Sequence, residues 1–209
     1  MTSRTICIAR VKGSGGEPIG RLVADALGYQ LVDEEIIQRA AESEGVSVDE
    51  LTEVEQRSSV ISRLMKLMAF SSGVPDATGI YLPLADLPTH DPKSLRGLIQ
   101  KSIHETADRG NVVIVSHAAS FALAGRDDTL RILVTAPTAI REARVAAGES
   151  LDEKHAAKAV ADDDAGRESY LKKFYGVEHE QPSHYDLVLN GGTLSADAIA
   201  ALVVAAANS

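Results

Sequence analysis

A glycine-rich loop between an apolar pentad and an amphipathic repeat, close to the start of the chain, constrains the fold most. Thr5–Ala9 (TICIA) reads as a short buried strand. Arg10-Val-Lys-Gly-Ser-Gly-Gly16 follows. Ile19, Leu22, Val23, Ala26 and Leu27 then recur at the three-to-four-residue spacing of a helix face. Pro18 suits the first helical turn, where a missing N–H costs little, and Gly28 predicts the stop. Tyr29–Val32 reads as a second strand, ending at Asp33. Strand, loop, helix and strand make a βαβ unit with a right-handed crossover. The loop N–H groups and the positive end of the helix dipole then face the same way, which suits a phosphate. Glycine lets the backbone approach closely and adopt positive φ. The same glycines also serve a plain strand-to-helix turn, so the loop alone leaves both readings open.

The rest of the chain continues the alternation. Residues 34–44 read as helix, and Ser47 with Asp49 and Glu50 resembles another helix start. The apolar stretch Val60–Phe70 fits a core helix or a dimer face equally well, and residues 71–92 read as a long loop. Asp91-Pro92 opens a helix that runs to about Arg109 and stops at Gly110. Val112–Val115, Leu130–Thr135 and Tyr185–Asn190 read as strands. A helix starts near Pro137, the acidic stretch Glu149–Glu168 reads as helical, and Ser195 caps a final alanine-rich helix. With no internal repeat and no linker, the expectation is one α/β domain over residues 1–209 with a mainly parallel sheet.

Composition narrows the classes of function. The 21 basic and 30 acidic residues leave a net charge of −9, which argues against broad coating of nucleic acid. Aromatics are 4% and tryptophan is absent, so no stacking platform for bases is expected. No apolar run reaches the roughly 18–20 residues of a membrane span, and MTSRTICIARVKG lacks the apolar core of a secretion signal. The single cysteine, Cys7, excludes an intramolecular disulfide and a cysteine-rich zinc site. The expected setting is the cytoplasm, without membrane or nucleic-acid partners.

The strict P-loop pattern, G-x-x-x-x-G-K-[ST], fails here. Aligned on Gly15, its first glycine is Arg10, its lysine is Gly16 and its magnesium-binding hydroxyl is Glu17. Arg10 and Lys12 are the cations left to meet phosphate. Glu17 fits a metal ligand or, more simply, a carboxylate on the helix dipole.

Ile6–Asp33 resembles the opening of the cytidylate kinase-like proteins, whose loop reads S-R-x-x-G-S-G-G-x-x-I-G. Here that stretch is Ala9-Arg10-Val-Lys-Gly13-Ser14-Gly15-Gly16-Glu-Pro-Ile19-Gly20, departing only at Ala9. The likeness continues through Arg39 and returns at Asn111–Arg144, at Asp164-x-x-Arg167 and at Tyr185-Asp186-Leu187, while residues 46–95 match poorly. The resemblance implies a three-layer P-loop kinase fold with five mainly parallel strands ordered 2-3-1-4-5. It implies a substrate-binding insert at about 34–95, a lid at about 148–175, ATP and Mg²⁺ as cofactors, and a small nucleotide as substrate. Arg10, Lys12, Gly13, Ser14, Gly15 and Gly16 would hold the ATP phosphates. Asp33 and Arg39 would hold the monophosphate substrate. Lys12, Arg144, Asp164 and Arg167 would carry the catalytic charge, with Arg141 in a matching segment and Asp164 orienting Arg167 by a salt bridge.

One block departs from the family pattern. After the third strand the relatives carry V-G-R-x-A, and this chain has Val115-Ser116-His117-Ala118. Histidine near pH 7 is mostly neutral where arginine is always charged. His117 then either donates a hydrogen bond to the phosphate acceptor or is a satisfied histidine at a strand end. Three readings follow. The first is an ATP-dependent phosphotransferase, most simply acting on CMP. The second is a weak or inactive nucleotide-binding regulator, and the third is a kinase of a non-nucleotide metabolite.

Overall fold

In the computed structural model the described residues are 3–32, 92–116 and 118–209. The expected segments at 34–44, 47–50, 60–70 and 71–90 lie outside them, as do Asp33, Arg39 and His117. Elements are numbered over the described residues.

Strand β1 (Thr5–Arg10) is the centre of the sheet. It pairs in parallel with β3 (Val112–Val115) on one side and with β4 (Thr129–Thr135) on the other. Strand β2 (Gln30–Val32) lies outside β3, and β5 (Leu187–Asn190) outside β4. The order is therefore 2-3-1-4-5, all parallel, as the resemblance implied. Parallel strands need helical crossovers, and these cover both faces of the sheet.

The faces follow from the two-residue alternation of a strand. Ile6 and Ile8 of β1, Val113 and Val115 of β3, and Ile132 and Val134 of β4 point to one side. There they pack on α1 (Gly16–Leu27) and on the C-terminal helix α6 (Ala196–Ala207). Cys7, Val112 and Ile114 point to the other side, against α2 (Pro92–Arg109), the short α3 (Ala119–Ala122) and the C-terminal half of α5 (Glu153–Tyr175). Helix α1 lies so close to β3 that a Cβ on Gly20 would strike the Val115 side chain.

The predicted stops hold. Gly28 closes α1 in the left-handed region, Gly110 follows α2 with φ 68°, and the Ser195 hydroxyl accepts from the Ala198 N–H at the start of α6. One prediction is corrected. The stretch Glu149–Glu168 is not one helix. Helix α4 (Thr138–Glu149) ends there, and α5 begins at Glu153. Ser150 turns the chain with φ 54°, and the Asp152 carboxylate caps α5 by accepting from the His155 N–H at 2.8 Å. Val145, Ala156 and Val160 bury the inner seam of this α4–α5 hairpin.

Candidate phosphate site

Parallel α/β sheets present ligands outside the carboxyl ends of their strands. Here that edge collects the loop after β1, Pro137 after β4 and Gly191 after β5. The loop residues Val11–Gly15 form a tight turn, with the Ser14 N–H on the Val11 carbonyl at 3.0 Å. Gly13 and Gly15 take φ of 79° and 91° while Ser14 and Gly16 do not, an alternation that turns backbone N–H groups into one concavity at the α1 N-terminus. The glycines are also needed for space. A Cβ on Gly13 would lie 2.6 Å from the Arg141 carbonyl oxygen, and one on Gly16 would lie 2.5 Å from the Arg10 Cβ. The Ser14 hydroxyl is buried and makes no hydrogen bond among the described residues. A buried hydroxyl donor beside glycines of positive φ is chemistry that suits a phosphate oxygen.

Helix α4 lies along this loop. The Arg141 Nε donates to the Lys12 carbonyl at 2.7 Å, and Arg144 donates to the carbonyls of Gly13 (3.3 Å), Ser14 (3.1 Å) and Gly191 (2.8 Å). Arg144, expected to act on the transferring phosphoryl, thus ties the loop to the end of β5. The loop cations are paired as well. Arg10 Nη2 meets Glu17 at 2.7 Å, and Lys12 Nζ meets Glu149 at 2.6 Å. Glu17 therefore spends its carboxylate on Arg10. No group of three or more metal-ligating side chains occurs among the described residues.

The lid pairings differ from expectation. Asp164 does not orient Arg167. Its carboxylate receives the Arg141 fork, at 2.8 and 2.6 Å. The two α4 and α5 helices pack side by side, which brings Arg141 opposite Asp164. Arg167, 3% exposed, chelates Glu180 instead, at 3.0 and 2.5 Å, and also donates to the Tyr185 hydroxyl at 3.0 Å. Tyr185 in turn donates to Glu180. Burial opposes the charge on Arg167, but the Glu180 carboxylate outweighs it and raises the guanidinium pKa. Burial likewise pushes Glu180 up, and Arg167 overcomes that to hold it below the usual carboxylate range. Burial, with Glu180 beside it, raises the Tyr185 phenol.

Arg141, Asp164, Arg167, His179 and Glu180 line a cavity of about 330 Å³ that reaches Val11 of the loop. The structure thus brings Arg10, Lys12, Gly13, Ser14, Gly15, Gly16, Arg141, Arg144, Asp164 and Arg167 to one edge of the sheet. Sequence reasoning missed Glu149, Glu180 and Tyr185. Only Tyr185 carried a signal, as part of a block matching the relatives, with no role attached.

The sequence model of the cytidylate kinase-like family matches residues 5–193. The chain belongs to the cytidylate kinase-like family. Among its relatives, a cytidylate kinase of Methanopyrus kandleri is 26% identical over 213 residues, covering 98% of this chain and 93% of that one. A cytidylate kinase of Methanocorpusculum labreanum is 28% identical over 204 residues, covering 98% and 96%. In three dimensions the chain superposes on an uncharacterized protein from Eubacterium ventriosum with a TM-score of 0.68 at 19% identity, each covered to 98%. That likeness shows the fold. The cytidylate kinase-like match spans the altered loop, with Gly16 and Glu17 opening α1.

Proposed function

We propose that this chain is an ATP-dependent phosphotransferase whose acceptor is a nucleoside monophosphate, most simply CMP. The observation that carries it is the Gly13–Gly16 turn at the α1 N-terminus, with its positive-φ glycines and the buried Ser14 hydroxyl, unpartnered among the described residues, next to a cavity of about 330 Å³ that reaches Val11 of the same loop. Donors fixed in advance around a polyanion are what phosphoryl transfer asks of a protein, because positioning and charge neutralisation supply most of the catalysis. Gly13, Gly15 and Gly16 would hold the ATP phosphates through backbone N–H groups and Ser14 through its hydroxyl, with Lys12 and Arg10 adding charge. Mg²⁺ would arrive with the nucleotide. Residues 148–175 would serve as the lid, with Arg167 of α5 and the neighbouring Arg141 of α4 lining the cavity beside the loop. Asp33, Arg39 and His117, outside the described residues, keep their proposed role in holding the acceptor. A cytoplasmic setting suits this substrate class. The described helices include none long and apolar enough to cross a membrane.

A second reading, a nucleotide-binding regulator without turnover, has one observation in its favour. Arg10, Lys12, Arg141 and Arg167 each already face a carboxylate of this chain. Calorimetric titration with ATP and Mg²⁺, followed by a coupled assay with CMP, separates the two. Micromolar binding with turnover supports the kinase. Binding without turnover across the nucleoside monophosphates supports the regulator. No heat at millimolar ATP overturns both. Lys12→Ala should weaken ATP binding at least several-fold, and unchanged affinity would remove Lys12 from the site.

A further inference from the structure

Four cations at the loop edge are matched by carboxylates, and two of them, Arg141 and Arg167, are buried in the fold. Arg10 meets Glu17 from within the same loop and helix, seven residues on. Arg141 and Arg167 are buried, and each forks onto one carboxylate. The Lys12–Glu149 pair is different. Like Arg10 and Glu17, at 14% and 53%, both side chains reach solvent, at 18% and 31%, but this pair joins the loop to a separate element, the end of α4, so a polyanion that approaches the ammonium from outside also acts on α4. Lysine is a compact point charge on a flexible stem and can exchange one anion for another without moving the backbone. The loop also does not need this pair to stay in place. Arg141 holds the Lys12 carbonyl and Arg144 holds those of Gly13 and Ser14, whatever the ammonium does.

We propose that Glu149 is an internal competitor for Lys12, holding the ammonium until the phosphates of a nucleoside triphosphate displace it. Glu149 thereby sets how tightly the loop takes its nucleotide. This rests on the phosphotransferase reading of the same loop. The position of Glu149 adds a consequence. It is the last residue of α4, and Ser150 then turns the chain into α5 with φ 54°. Displacing Glu149 frees the end of α4 at the turn of the hairpin. Nucleotide binding is then coupled to the hairpin through one ion pair, and the coupling is reciprocal.

The test is calorimetric titration with ATP and Mg²⁺, at one fixed ionic strength, of the full chain and three variants: Glu149→Gln, Lys12→Ala and the double variant. A partly exposed ion pair is a weak competitor, so Glu149→Gln should bind about two- to fivefold more tightly. In the Lys12→Ala background the same substitution should change nothing. Equal affinity in the parent and Glu149→Gln overturns the competitor while leaving the nucleotide site intact. A gain that persists without Lys12 also overturns it, because the effect is then only the loss of a negative charge. Binding by neither overturns the competitor together with the reading beneath it.

Discussion

At Arg167 burial and charge pull in opposite directions. A guanidinium 3% exposed would be costly alone, and Glu180 and Tyr185 make it tolerable. Removing one side of such a pair leaves the other buried and unmatched. Arg167→Ala should therefore cost about 3–5 kcal/mol of stability, read from the midpoint of a urea transition. An activity loss with an unchanged midpoint would instead give Arg167 a purely catalytic role. Glu180 makes a second prediction. Its folded-state pKa is depressed, so its contribution is present above its unfolded pKa, about 4.5, and is lost as pH falls through the lower folded value. The parent chain should lose stability on acidification below about pH 4.5, and Glu180→Gln should flatten that limb, starting from a lower plateau. Melting temperatures between pH 3 and 7 check both the limb and its loss.

Among the elements, the α4–α5 hairpin shows where sequence reading stops. The strands were legible because β1, β3 and β4 are near-continuous apolar runs, as a sheet covered on both faces requires. The ends of α1, α2 and α6 were legible because Gly28, Gly110 and Ser195 are residues that terminate or cap helices for a known steric or hydrogen-bonding reason. The break at 150–152 was hidden because Ser150 takes the left-handed conformation that glycine usually marks. Asp152, followed by Glu153 in the first turn of α5, was the only local sign. The candidate site divides in the same way. The glycine loop is local and readable. Glu149 lies 137 residues from Lys12, and no spacing rule connects them. Glu180 lies 13 residues beyond Arg167, past the end of its helix. Two substitutions test these elements. Ser150→Gly should stabilise the chain by up to about 1 kcal/mol, since glycine accepts the conformation without strain. Gly13→Ala should destabilise it by more than about 1 kcal/mol, since the new methyl meets both a positive φ and the Arg141 carbonyl. Thermal melts of the two should move in opposite directions.

For the molecule as a whole, Cys7 reports on the sheet. Its thiol lies fully buried at the middle of β1, and burial pushes its pKa up to about 12. A thiol that is both inaccessible and protonated does not react. Labelling with a maleimide at pH 7 should be negligible in the folded chain, and in rising urea the labelled fraction should follow global unfolding. Labelling well ahead of the circular-dichroism transition would show that β1 is exposed by a smaller opening. The placing of β1 at the centre of the sheet also bears on how the chain is born. Its partners begin at Val112 and Thr129, and among the described residues β2 pairs with β3 alone. On a ribosome adding about 5–20 residues per second, the apolar segment Thr5–Arg10 emerges early. It then waits on the order of 5–20 seconds for a neighbouring strand to be synthesised. A nascent chain paused before β3 therefore presents an unpaired strand with an apolar centre, Ile6–Ala9, to the cell, and it is at that stage that a holding chaperone has something to bind.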